Sequence, residues 1–146
     1  MRTYRIAIGC DHAGFETKVQ LVQFLQDLGH ELQDFGTYSP DSIDYPDYAR
    51  PVAQGVANKE FDLGIVLCGS GNGVNITANK TKGIRSALCW LPEIAALARQ
   101  HNDANICAIP ARFVSVDTAK EIAKAFLNAE FEGGRHGTRV SKIEPE

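Results

Sequence analysis

Cys68 closes an apolar run, Leu63-Gly64-Ile65-Val66-Leu67, and is followed at once by Gly69-Ser70-Gly71-Asn72-Gly73. A thiol acts as base or nucleophile in its thiolate form, and a glycine-rich turn can fold its amides around an anion. Base and oxyanion site therefore come together in one short string. Residues 72–80 can start a helix, and a thiol beside the positive end of a helix dipole is held more easily as thiolate. At a pKa of about 8.5 only a few per cent is ionised at neutral pH, whereas a pKa near 7 would give about half. A purely structural role also exists, since free cysteine is among the most buried residue types and glycines let strand and helix pack closely.

Other reactive residues fall at comparable places. Asp11 and His12 follow a strand-like run at residues 4–10, and Arg112 follows another at 104–110. Each has a plain alternative: Asp11 as a helix cap, His12 as a solvated first-turn residue, Arg112 as a surface cation, and Arg135, His136 and Arg139 as a solvated cluster. Jointly, an acid, imidazoles, a thiol, an anion-cradling loop and several arginines describe a site for a phosphorylated small molecule.

Spacing excludes several familiar chemistries. A cysteine phosphatase needs arginine six positions after its cysteine, and Val74 stands there. No GxxxxGK[ST] string exists, and GSGNG is not the GxGxxG of dinucleotide folds. The four histidines, at 12, 30, 101 and 136, lack metal-ligand spacing, so no metal is expected. Asn75-Ile76-Thr77 and Asn79-Lys80-Thr81 match glycosylation sequons, which carry no meaning without export.

The elements that must position these groups alternate along the chain. Strand patterns at 4–10, 31–36, 62–68, 84–90 and 104–110 are interleaved with helical ones at 14–28, 47–58, 72–80, 92–100 and 115–128. Phe15, Val19, Val22, Leu25 and Leu28 share one face of the first helix, Gly29 stops it, Pro92 suits a first turn, and Ser115 an N-cap. Repeated β-α units imply a five-stranded parallel sheet with helices on both faces, whose ligands bind beyond the carboxyl ends of the strands. Residues 129–146 carry too few apolar positions to add a layer and read as a tail lying over a surface or a neighbour.

Size and composition set the remaining bounds. A chain of 146 residues fits one domain, and at this length about 70% of the unfolded surface is buried, enough for a core without staples. A net charge of −3 gives no reason for attraction to nucleic acid or an anionic membrane. Cys10, Cys68, Cys89 and Cys107 form no CxxC pair and no secreted disulfide framework, which fits a reducing cytoplasm. The N-terminal residues lack a signal-peptide pattern, and no apolar stretch approaches the length of a membrane span.

GCDHAGF at 9–15, DYPDYA at 44–49, CGSGNG at 68–73, ANK at 78–80, GIR at 83–85, RQHNDAN at 99–105 and EGGRH at 132–136 together resemble the ribose-5-phosphate isomerase B family, which includes galactose-6-phosphate isomerase subunits. The resemblance runs in order over nearly the whole chain. It implies a Rossmann-like α/β/α fold, a homodimer or sometimes a tetramer, and cofactor-free interconversion of aldose and ketose phosphates. By position, Cys68 would be the base and His101 would assist ring opening. Asp11 and His12 would contact the sugar, Tyr45 would line the pocket, and the backbone of Gly69, Ser70, Gly71, Asn72 and Gly73 would hold the enediolate oxygens. Asn102, Arg112, Arg135 and Arg139 would bind chiefly the phosphate, with His136 nearby. Family members that lack the cysteine use a glutamate where Val74 stands here, so this chain resembles the cysteine subgroup, with Ser70 in place of a common threonine.

In the expected topology His101 follows a helix that leads into the fifth strand, which puts it at the opposite sheet edge from Cys68. His101 and Asn102 would then enter the site from a second subunit across a two-fold axis. Two rivals to a pentose phosphate isomerase are an isomerase of a hexose 6-phosphate, such as allose or galactose 6-phosphate, and a non-catalytic sugar-phosphate sensor on the same fold.

Overall fold

In the computed structural model, which describes residues 2–145, five strands form one fully parallel sheet: β1 (Arg5–Cys10), β2 (Glu31–Asp34), β3 (Leu63–Cys68), β4 (Ser86–Leu88) and β5 (Ile106–Pro110). Their order in space is β2-β1-β3-β5-β4. Between β1 and β3 the chain reverses its direction of travel across the sheet. Parallel sheets open a ligand crevice at such a point, beyond the carboxyl ends of the two strands. Asp11 follows β1 and Cys68 ends β3, so both stand at its mouth.

The α-helices are α1 (Phe15–Asp27), α2 (Pro46–Ala57), α3 (Asn72–Asn79), α4 (Pro92–Asn102), α5 (Val116–Asn128) and α6 (Arg135–Val140). The central strands β3 and β5 are buried and apolar on both faces, as a place beneath two helical layers requires. One core joins Ile6, Ile8, Leu67 and Ile109 to Leu21 and Leu25 of α1, Ala95 of α4 and Phe126 of α5. The other joins Ala7, Val66 and Ala108 to Val52 of α2 and Val74 of α3. Alternation along each strand thus divides the molecule into three layers, the α/β/α arrangement expected.

Three local features go beyond the pattern read from the sequence. The buried face of α1 consists of Thr17, Lys18, Leu21 and Leu25, while Val19 is 47% exposed. Lys18 turns the helix inward because its fully buried ammonium donates to Asp34 Oδ1 at 2.7 Å and to the Thr37 carbonyl. A buried cation requires such partners; of the expected face, Leu25 is buried and Phe15, Val22 and Leu28 pack against the same core, so Val19 alone falls outside it. The second and fourth strands are shorter than 31–36 and 84–90. Both are edge strands whose flanks keep backbone hydrogen bonds to their neighbours, the Phe35 amide to the Ile8 carbonyl and the Cys89 amide to the Ala108 carbonyl, while on the outer edge of β4 Asn79 pairs with both backbone groups of Ser86. Finally, residues 129–146 contain α6, which packs on α4.

Candidate active site

The turn after β3 is shaped by what glycine permits. Gly71, the N-cap of α3, has φ +77°, and a Cβ there would lie 2.5 Å from Leu88 Cδ1 and 3.2 Å from the Pro110 nitrogen. Only glycine fits both the left-handed backbone and the close approach. Ser70 Oγ accepts the Asn72 amide at 3.2 Å and so pins the turn. The first turn of α3 leaves amides without intrahelical acceptors, facing the loop. A Cβ on Gly73 would meet the Tyr45 ring at 2.6 Å, so this half-exposed phenol lies directly on the loop.

Neighbouring strands bring the other groups to the same edge. The Asp11 amide donates to the Leu67 carbonyl, and the buried Asp11 carboxylate accepts the Gly14 amide at 3.1 Å. The capping role open to Asp11 is therefore occupied. His12 Nδ1 accepts the Ile43 amide at 3.4 Å, leaving Nε2 as the nitrogen that carries hydrogen in the neutral ring. The Arg112 amide donates to the Gly69 carbonyl at 3.0 Å, and its side chain runs along Gly69, within 3.1 Å of where a Cβ would stand. Cys68, Asp11, His12, Tyr45, residues 69–73 and Arg112 thus share one end of the sheet.

The four thiols differ in access. Cys10, Cys89 and Cys107 are fully buried, whereas Cys68, packed against the α2–α3 core, retains 5% of its surface. Burial pushes the Cys10 thiol up to about 12 despite nearby Lys18, making it an inert core group. Cys107 is likewise pushed upward by its hydrogen bond with Cys89 and by burial.

The remaining candidates gather elsewhere. His101 and Asn102 end α4, which leads back to the start of β5, and Arg135, His136 and Arg139 lie on α6 beside it. The Glu132 amide donates to the Gln100 carbonyl, tying the chain after α5 to the end of α4. The His101 and His136 rings stack with centroids 4.2 Å apart and planes within 7°. Glu132 Oε1 lies 3.7 Å from His101 Nε2 and 3.6 Å from His136 Nε2. Burial, with His101 and Arg135 beside it, holds the pKa of His136 below the usual imidazole value. Arg135 and Arg139 are exposed.

Cys68 pairs in register with Pro110, at the far end of β5 from this second group. A five-residue strand spans roughly 13–17 Å, and the two groups also lie on opposite faces of the sheet, so within one chain they do not meet. Sequence reasoning missed two residues of this architecture. Glu132 was signalled by its i, i+4 relation to His136, and Lys18 by a charge flanked by Leu21 and Leu25 at helical spacing.

The model for the family described as Ribose/Galactose Isomerase matches residues 6–143. Ribose-5-phosphate isomerase B of Escherichia coli is 49% identical over 139 residues, covering 95% of this chain and 93% of that protein. The crystal structure of a ribose 5-phosphate isomerase from Thermotoga maritima superposes with a TM-score of 0.94 at 48% identity, over 96% of this chain and 97% of that one. Ribose-5-phosphate isomerase B from Mycoplasma genitalium, solved with bound ribulose-5-phosphate, gives 0.92 at 42% identity, over 98% and 95%. With family match, relatives and fold in agreement over almost its whole length, the chain belongs to the ribose/galactose isomerase family.

Proposed function

We propose that this chain interconverts D-ribose 5-phosphate and D-ribulose 5-phosphate through an enediolate, with Cys68 as the base. The observation that carries this reading is the junction of Cys68 with the 69–73 turn and Arg112 at the sheet's switch point, in a chain 49% identical to a ribose-5-phosphate isomerase B. An aldose-to-ketose shift removes a weakly acidic proton beside a carbonyl, and the barrier falls only if the growing oxyanion is stabilised as the base acts. The Cys68 thiolate takes the C2 proton, the amides of the turn receive the negative charge that develops on O1, the O2 hydroxyl proton passes to O1, and the thiol returns its proton to C1. Positioned acid–base groups contribute about 10²–10⁴ in rate, and each aligned oxyanion donor about 2.7–4 kcal/mol. His101 assists opening of the furanose ring, and Asp11, His12 and Tyr45 hold the sugar.

Arg112, Arg135 and Arg139, with Asn102 and His136, take the phosphate, where the planar guanidinium makes paired charge-assisted hydrogen bonds. Two groups at opposite ends of the sheet can serve one substrate if a two-fold axis sets the α4–α6 corner of one subunit against the Cys68 edge of another. The working unit is accordingly a homodimer with shared sites. No cofactor enters any step. Four free thiols fit a reducing cytoplasm, and among the described residues no helix is long and apolar enough to cross a membrane.

The family description also names galactose, which keeps a hexose 6-phosphate as the second substrate reading. Turnover of ribose 5-phosphate in deuterium oxide, compared with allose and galactose 6-phosphates, tests both. The proposal expects the highest kcat/KM and C2 exchange with the pentose. A higher kcat/KM with a hexose would move the assignment to that sugar, and no exchange with any of them would leave a sugar-phosphate sensor.

A further inference from the structure

His101, Glu132 and His136 present three ligand-type atoms within 4.8 Å of one another. We infer that they form a site for a borderline divalent metal ion such as Zn²⁺, and that its occupancy inhibits the isomerase. Zinc–nitrogen bonds of about 2.0–2.1 Å put neighbouring ligand atoms of a tetrahedral site about 3.3–3.4 Å apart. The Glu132 oxygen already lies 3.7 and 3.6 Å from the two Nε2 atoms, and the half-exposed His101 ring must turn out of its stack on His136 for its in-plane lone pair to point at the same ion. The necessary freedom is unevenly distributed. His136, with 11% of its side chain exposed, is the fixed ligand, while His101 at 40% and Glu132 at 52% can adjust around it.

Donor chemistry selects the ion. Two imidazole nitrogens and one carboxylate oxygen suit zinc, copper or nickel, whereas magnesium and calcium require oxygen ligands. Arg135 and Arg139 stand close enough to bear on His136, and their charge opposes any cation held by electrostatics alone. Coordinate bonds to nitrogen are what overcome that repulsion. Three protein ligands leave a fourth position open to water, the pattern of exchangeable zinc sites. Sequence spacing gave no sign of this, because His101 lies 31 residues before Glu132 and only the docking of the chain after α5 onto α4 unites them.

Inhibition, unlike binding, rests on the proposed role of His101. Once its Nε2 lone pair is bound to metal, the ring can neither carry nor deliver the proton for ring opening. The test is calorimetric titration of the full-length protein with zinc chloride, run beside initial-rate kinetics with and without chelator. We expect one ion per chain and inhibition fully reversed by EDTA. Glu132→Gln should weaken zinc binding and inhibition together by at least 10-fold, the inhibition being read against the variant's own zinc-free rate. Cys68→Ala should bind zinc as the parent does. Unchanged binding in Glu132→Gln, or binding lost in Cys68→Ala, would overturn the site and make the thiol the ligand. Binding that follows the prediction without inhibition would keep the metal site and overturn its inhibitory effect through His101.

Discussion

The carboxyl edge of the sheet and the α4–α6 corner are built in opposite ways. At the edge, buried strands deliver Cys68 and Asp11, and backbone sets the geometry: a left-handed glycine, a serine-pinned turn and a phenol lying on a glycine. At the corner, mainly exposed side chains on helix ends do the work, with two stacked imidazoles between arginines. Chemistry that needs sub-ångström placement sits where nothing can move, whereas recognition of a charged group sits where long side chains can adapt. Substitutions of Cys68 and its turn should therefore damage kcat, and substitutions of the arginines at the corner should damage KM.

The largest effect is expected from Cys68→Ala, which should lower kcat by about 10²–10⁴-fold with KM nearly unchanged. Steady-state kinetics with ribose 5-phosphate measures it, and near-normal turnover would remove the thiol from its assigned role. Gly71→Ala comes next. Left-handed backbone costs a residue with a Cβ about 1–2 kcal/mol, and the Leu88 methyl at 2.5 Å must also move. Loss of oxyanion alignment should then reduce kcat by about 10²-fold while the protein stays folded by circular dichroism. Across the molecule, Arg139→Ala should raise KM by about 10–100-fold and spare kcat, the loss of one charge-assisted contact to phosphate. If Arg139→Ala instead lowered kcat alone, the division between edge and corner would not hold.

Lys18→Met probes the support beneath the edge rather than the chemistry. Removing one partner of a fully buried pair costs about 3–5 kcal/mol, but the Asp34 side chain is 32% exposed and can regain water, so urea unfolding should show a loss of about 1–3 kcal/mol. The smallest effect concerns pH. Burial depresses the pKa of His30, whose Nδ1 accepts the Tyr4 amide, and His136 is depressed by burial and its neighbours. The unfolded chain then takes up protons more readily than the folded one. Stability should be complete above about pH 6.5 and fall as pH drops through that value. Thermal melts at pH 7.5 and 5.5 should show the difference, and His30→Asn should reduce it.

The edge was legible in the sequence because it is local: strand, thiol, glycines and helix start are contiguous, and the β-α alternation fixes which end of the sheet they occupy. The three layers followed from the same pattern. The burial of Lys18 on α1 was not legible, because it is drawn inward by Asp34 and by the Thr37 carbonyl from a distant segment. Nor was α6, whose six residues become a helix against α4 and hold few apolar side chains to announce it. The meeting of His101, Glu132 and His136 is a tertiary event with no local signature.

The most direct test of a site assembled from two ends of the molecule mixes two inactive proteins, Cys68→Ala and His101→Ala. Random exchange makes half of the dimers hybrid, each with one intact site, so about one quarter of parental activity should return. No recovery, once subunit exchange is verified by mass spectrometry of differently tagged chains, would contradict a shared site.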